Sequence, residues 1–101
     1  MNSAEKQPIT INIVQGPHGA EFDRSDLHMA AGVGTIWVNQ TQSSQVILPD
    51  NQDTRRVMTL APQGQEGAVW MMGMRSAVAG TFRWRLQSNS SAHITITTTV
   101  P

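Results

Sequence analysis

Residues 81–86 read Thr-Phe-Arg-Trp-Arg-Leu, and this alternation constrains the chain more than any other feature. On a strand, Phe82, Trp84 and Leu86 share one face while Arg83 and Arg85 share the other. A helix would scatter the same residues around its axis. The pattern recurs at both ends of the chain. Ile9, Ile11 and Ile13 alternate with Thr10 and Asn12, and Ile94, Ile96, Thr98 and Val100 alternate with His93, Thr95, Thr97 and Thr99. Shorter β-branched or aromatic runs fill 34–39, 45–48, 56–60 and 68–72. Turn formers separate them: Gly16-Pro17, Pro49-Asp50-Asn51, and a loop holding Pro62, Gly64 and Gly67. Seven or eight such segments, spaced at about 8–12 residues, predict an all-β fold, a two-sheet antiparallel sandwich or barrel with at most one short helix. Residues 23–32 read two ways. They make a helix capped by Asp23 or Ser25 and stopped by Gly32, or a strand that turns Leu27 and Met29 inward.

A chain of 101 residues is sized for one domain, read as a flexible leader over 1–8 and a single domain over 9–101. Seven basic side chains balance seven acidic ones, which removes the electrostatic case for nucleic acid or an anionic membrane surface. The longest hydrophobic run, 68–72, is far short of the ~18 residues of a membrane-spanning helix. There is no cysteine, so disulfides, thiol catalysis and thiolate metal sites are excluded.

Several clusters carry potential chemistry. His18, Glu21, Asp23, Asp26 and His28 put two imidazoles and three carboxylates within eleven residues, a donor set suited to zinc-like divalent ions. They lack a ligand spacing such as His-x-x-x-His, and polar loops carry the same residues, so solvated side chains are the expected reading. Met58, Met71, Met72 and Met74 offer thioethers to Cu(I), although methionine also fills irregular gaps in a core. Alternation puts Trp70, Met72 and Met74 on one face and Met71 on the other. An exposed Met and Trp patch near Trp70 would mark a partner surface instead. Arg75, Arg83, Arg85 and Trp84 resemble a nucleic-acid stripe in composition, but alternation sends Trp84 inward and the arginines outward, so no stacking platform forms. No Gly-x-Ser-x-Gly elbow occurs and no base adjoins a candidate nucleophile, which argues against an enzyme. Asn39-Gln40-Thr41 and Asn89-Ser90-Ser91 satisfy the glycosylation sequon.

Four stretches resemble the cupredoxins, the family of plastocyanin and azurin. Glu21 and Phe22 through Leu27 and Met29 look like its second strand. Gly34-Thr35-Ile36-Trp37-Val38-Asn39-Gln40 is similar to its Gly-x-x-Val-x-Trp-x-Asn strand. Leu60-Ala61-Pro62-Gln63-Gly64 looks like its Leu-x-Pro-Gly turn with one glutamine inserted, and Ala79-Gly80-Thr81-Phe82-Arg83-Trp84 resembles the strand that leads into its copper loop. The resemblance implies a Greek-key β-sandwich. It also implies ligand positions for a type 1 copper ion, which takes two histidines, a cysteine and a weak axial ligand. The first histidine falls at Gln45, the cysteine at Leu86, the second histidine near Asn89 and the axial methionine near Ala92. None of the four is a competent equatorial ligand, and no cofactor is expected.

The expected function is therefore that of a copper-free cupredoxin-like domain acting as a binding or structural module. The alternative is a metal-binding or electron-transfer protein that uses His18, His28, His93 or the methionines. If the four copper-ligand positions are vestigial, they should meet at one end of the sandwich, with Leu86 filling the space and Gln45 bonded to Asn89. An unidentified protein partner is compatible with this reading. The resemblance implies an extracytoplasmic location, with Met1 a start residue added to a mature domain.

Overall fold

The computed structural model describes residues 8–30, 32–50, 57–72 and 80–99, with Met71 and Met72 described as backbone only. Nine strands follow in order: β1 (Ile9–Gly16), β2 (Gly19–Phe22), β3 (Asp26–Ala30), β4 (Thr35–Asn39), β5 (Gln45–Pro49), β6 (Met58–Leu60), β7 (Val69–Met72), β8 (Gly80–Leu86) and β9 (His93–Thr99). They form a four-stranded sheet ordered β2-β1-β4-β7 and a five-stranded sheet ordered β3-β9-β8-β5-β6. Among the described residues there is no helix, and so none long and apolar enough to cross a membrane.

The sandwich is mixed rather than purely antiparallel. β1 runs parallel to β4, and β3 runs parallel to β9. Alternation reads the same in both ladders, because the side-chain period of two is indifferent to strand direction. The strand count rises to nine for a related reason. Residues 21–29, which read as one strand, bend at 23–25. β2 pairs with β1 in one sheet, and β3 then pairs with β9 in the other, a strand that switches sheets at a corner. The bend is held at Asp23, whose N–H donates to the Asn12 carbonyl at 2.8 Å, and at Ser25, whose carbonyl accepts from the Thr95 N–H at 3.0 Å. Within segment 23–32 the strand reading holds at Asp26–Ala30, with Leu27 and Met29 buried. The predicted strand over 56–60 is observed as Met58–Leu60; Arg56 lies outside the described residues, as do Met74, Arg75 and Val100.

The inward positions of both sheets make one core. Ile11, Ile13, Trp37, Ile47, Leu60, Leu86 and Ile94 are fully buried. Trp37 sits at the centre, edge-on to Phe22 (centroids 6.1 Å apart) and to Trp84 (5.8 Å). Each such aromatic pair adds about 0.5–1.5 kcal/mol beyond area burial. Its indole N–H donates to Thr35 Oγ1 at 2.9 Å, so the polar atom of the largest core residue is satisfied.

Candidate functional site

Seven strand ends meet at one end of the sandwich. β1, β4, β6 and β8 finish there, and β5, β9 and β2 begin there, so the connecting loops pack against one another. Asn39 organises the end of β4. Its side chain is fully buried, and its amide nitrogen donates to the carbonyls of Ser43 (2.8 Å) and Ala61 (2.9 Å), with a longer contact to that of Leu60 at 3.4 Å. Its Oδ1 accepts from the Thr41 N–H (2.9 Å) and hydroxyl (2.7 Å). These bonds fix the turn that follows β4. In the folded chain the Asn39 amide nitrogen, the atom a glycan would be attached to, is buried and bonded.

The network continues into Gln45, the first residue of β5, which is buried. Its Nε2 donates to Thr41 Oγ1 at 3.0 Å, and its Oε1 accepts from the Ser88 hydroxyl at 2.7 Å. Leu86 ends β8 and is fully buried in the core cluster with Ala92. Residues 87–91 then fold back tightly. The Leu86 and Ala92 backbones are joined by a 3.2 Å bond from the Leu86 N–H, Asn89 N–H reaches Leu86 O at 3.3 Å, and Ala92 N–H reaches Asn89 O at 3.0 Å. The half-buried Asn89 side chain donates to the Ala20 carbonyl at 2.9 Å, in β2 of the opposite sheet. Gly19 lies beneath it at φ 129°, and a Cβ built there would come 3.5 Å from Asn89 Nδ2.

Gln45, Leu86, Asn89 and Ala92 are therefore drawn to one end through the 87–91 loop, but not in the expected pairing. Gln45 bonds Ser88 and Thr41, and Asn89 bonds Ala20. The register explains it: Ile47 lies opposite Leu86, so the chain leaving β8 brings residue 88, not 89, alongside Gln45. Ser88 and Thr41 were missed because their hydroxyls carry no metal-ligand signal. The donor set here does not fit a type 1 copper ion. An imidazole pair and a thiolate are required, and the positions hold two amides, an alkyl side chain packed in the core and an alanine.

The other candidate ligands are spread over the molecule. His18 is exposed in the two-residue turn between β1 and β2, and Glu21 folds its carboxylate over Gly16. Asp23 accepts from Asn12 Nδ2 at 2.9 Å and pairs with Arg24 at 3.6 Å. Asp26 and His28 meet at 3.3 Å on β3, in the opposite sheet from Glu21, and both are exposed. His93 Nε2 lies 4.0 Å from Asp50, whose carboxylate is held by Arg85 at 2.7 Å. Met58 is buried in the core. Among the described residues, no three His, Asp or Glu side chains converge on a common point. On β8, Trp84 is buried while Arg83 points out, so the arginines and the indole do not form a stacking surface.

A second feature lies at the edge of the four-stranded sheet. Trp70 on β7 pairs with Trp37 across the ladder and so stands on the inner face, yet it is 44% exposed, and among the described residues no strand of that sheet lies beyond it. Val69, on the outer face, is 55% exposed.

No protein-family model matches the chain, and neither does any curated protein sequence. Solved structures do. A reduced amicyanin point mutant superposes with a TM-score of 0.71 at 10% identity, over 91% of this chain and 82% of that one. Amicyanin from Paracoccus versutus gives 0.70 at 10% identity, over 91% and 81%. An amicyanin mutant in its Cu(I) form gives 0.68 at 13% identity, over 96% and 86%. The chain has the cupredoxin fold.

Proposed function

We propose that this chain is a copper-free domain of the cupredoxin fold, working as a binding or structural module without a metal, redox or catalytic centre. One observation carries the reading. The end where the resemblance puts copper ligands has an alkyl side chain, Leu86, packed in the core, and beside it the Gln45 amide bonded at both its oxygen and its nitrogen. A leucine offers no lone pair, and an amide held on both sides by hydroxyls is not free to turn toward an ion. The four positions are vestigial in this proposal: hydrogen bonds tie loops together that a metal would otherwise tie. Amicyanin's copper is a property of that protein, and here it supports only the placement of the four positions. The balanced charge favours a protein partner over nucleic acid, and the resemblance favours an extracytoplasmic location.

The test is titration of the purified chain with Cu(II), Cu(I) and Zn(II), followed by calorimetry and electron paramagnetic resonance. The expected outcome is no stoichiometric binding at or below about 1 µM. Tight binding that is lost in His18→Ala, His28→Ala or His93→Ala would replace this proposal with the metal-binding or electron-transfer alternative. A complementary variant carries Leu86→Cys, Gln45→His and Asn89→His together. It should gain Cu(II) with an intense thiolate charge-transfer band if the end keeps ligand geometry, and remain colourless if the four positions were never a site.

A further inference from the structure

We infer that the free edge of β7 is a self-association site, at which the same strand of a second copy pairs antiparallel about a two-fold axis centred on Trp70. A sheet edge is a row of unpaired backbone donors and acceptors, and proteins protect it with charge, proline or shortness. Among the described residues four strands stand at edges: β2, β7, β3 and β6. β2 carries Glu21, β3 carries Asp26 and His28, and β6 is three residues long with Pro62 close behind. β7 reads Val-Trp-Met-Met, with no charge and no proline. β9, threonine-rich and uncharged apart from His93, lies between β3 and β8 and is no edge.

The ladder fixes which groups are free. Asn39 N–H donates to Ala68 O at 2.9 Å, and Trp37 lies opposite Trp70. Backbone direction alternates along a strand, so Trp70 and Met72 bond toward β4 while the N–H and C=O of Val69 and Met71 point out of the sheet. A two-fold at Trp70 sets Val69 of each copy against Met71 of the other. Those two pairs exchange all four outward groups in four hydrogen bonds. The central pair is then Trp70 against Trp70, an aromatic pair of the kind that stabilises cross-strand contacts. This self-match selects a second copy as the occupant: one four-residue strand satisfies its own polar groups and covers its own exposed indole, with no like charges opposed.

Sedimentation velocity and amide hydrogen exchange on the full chain test it together. The wild type should show a monomer–dimer equilibrium with a dissociation constant between about 1 µM and 1 mM. Exchange at Val69 and Met71 should slow as concentration rises, while Trp70 and Met72 stay protected throughout. Trp70→Lys opposes two ammonium groups on the axis, and Val69→Lys places a charge on the outer face at the join. Trp70→Lys should weaken association about tenfold or more, as like charges facing one another across a ladder do, and Val69→Lys, which faces Met71 of the other copy, should weaken it by setting two ammonium groups diagonally across the join. A chain that stays monomeric to about 1 mM overturns the inference, even if a strand of another protein fills the edge. So does a dimer that Val69→Lys leaves intact, or one in which Val69 and Met71 exchange at a rate independent of concentration.

Discussion

The end of the sandwich around Gln45 and the edge at β7 are in opposite states. At the end, buried polar atoms are paired by protein groups: Asn39 with three carbonyls and Thr41, Gln45 with Thr41 and Ser88, Asn89 with Ala20. At the edge, an uncharged strand presents outward backbone groups and an indole that is nearly half exposed. Both sit on one scaffold of 101 residues with no net charge. The difference separates what stabilises this fold from what is left for it to recognise. A closed polar network rigidifies and offers little to a ligand, whereas an unguarded edge contributes little to stability and is suited to binding.

The contrast is broken most directly at Leu86. Leu86→Ala removes a fully buried side chain from the core cluster and should cost about 2–5 kcal/mol in urea unfolding, the range for cavities left by leucine. A loss below about 1 kcal/mol would mean that the end is not packed in solution. Gln45→Ala is the next largest. It removes two hydrogen bonds at about 0.5–1.5 kcal/mol each and should cost about 1–3 kcal/mol, although the Thr41 hydroxyl keeps Asn39 and the exposed Ser88 hydroxyl turns to water. Ser88→Ala should cost about 0.5–1.5 kcal/mol, because Ser88 is exposed but its removal leaves Gln45 Oε1 unbonded in a buried site. If the two variants reverse in order, the network does not run through Gln45 as described.

Much of this was legible in the chain. Period two located the strands and sorted inward from outward residues on β1, β3, β8 and β9, since burial in a sandwich follows parity directly. Parity says nothing of which strands are neighbours. The parallel pairings of β1 with β4 and β3 with β9, and the sheet switch at 23–25, were therefore not readable. The family resemblance put Gln45, Leu86, Asn89 and Ala92 at one end but could not tell that Ser88, not Asn89, would meet Gln45. That choice is made by the Ile47–Leu86 register and the backfold of 87–91. Trp70 shows the same limit. Its parity is that of a core residue, yet it stands exposed on β7, an edge strand among the described residues.

The smallest effect on stability belongs at the edge, and its smallness is the point. Val69 is 55% exposed, and its backbone N–H and C=O point away from β4. Val69→Lys therefore removes no ladder bond within one copy and buries no charge, and unfolding measured at low concentration should shift by no more than about 0.5 kcal/mol, as for surface substitutions away from special features. The same change should weaken self-association, because in the dimer the lysines stand diagonally across the join between two sheets. At high concentration the wild type should unfold at a higher urea concentration than at low, by mass action, and Val69→Lys should reduce that dependence. Together these expectations divide the protein by substitution: Leu86→Ala lowers stability at every concentration, and Val69→Lys does so only where copies meet. A Val69→Lys chain that unfolds as readily as Leu86→Ala at low concentration would show that β7 is a structural strand like the others, and the distinction between a closed end and an open edge would fail.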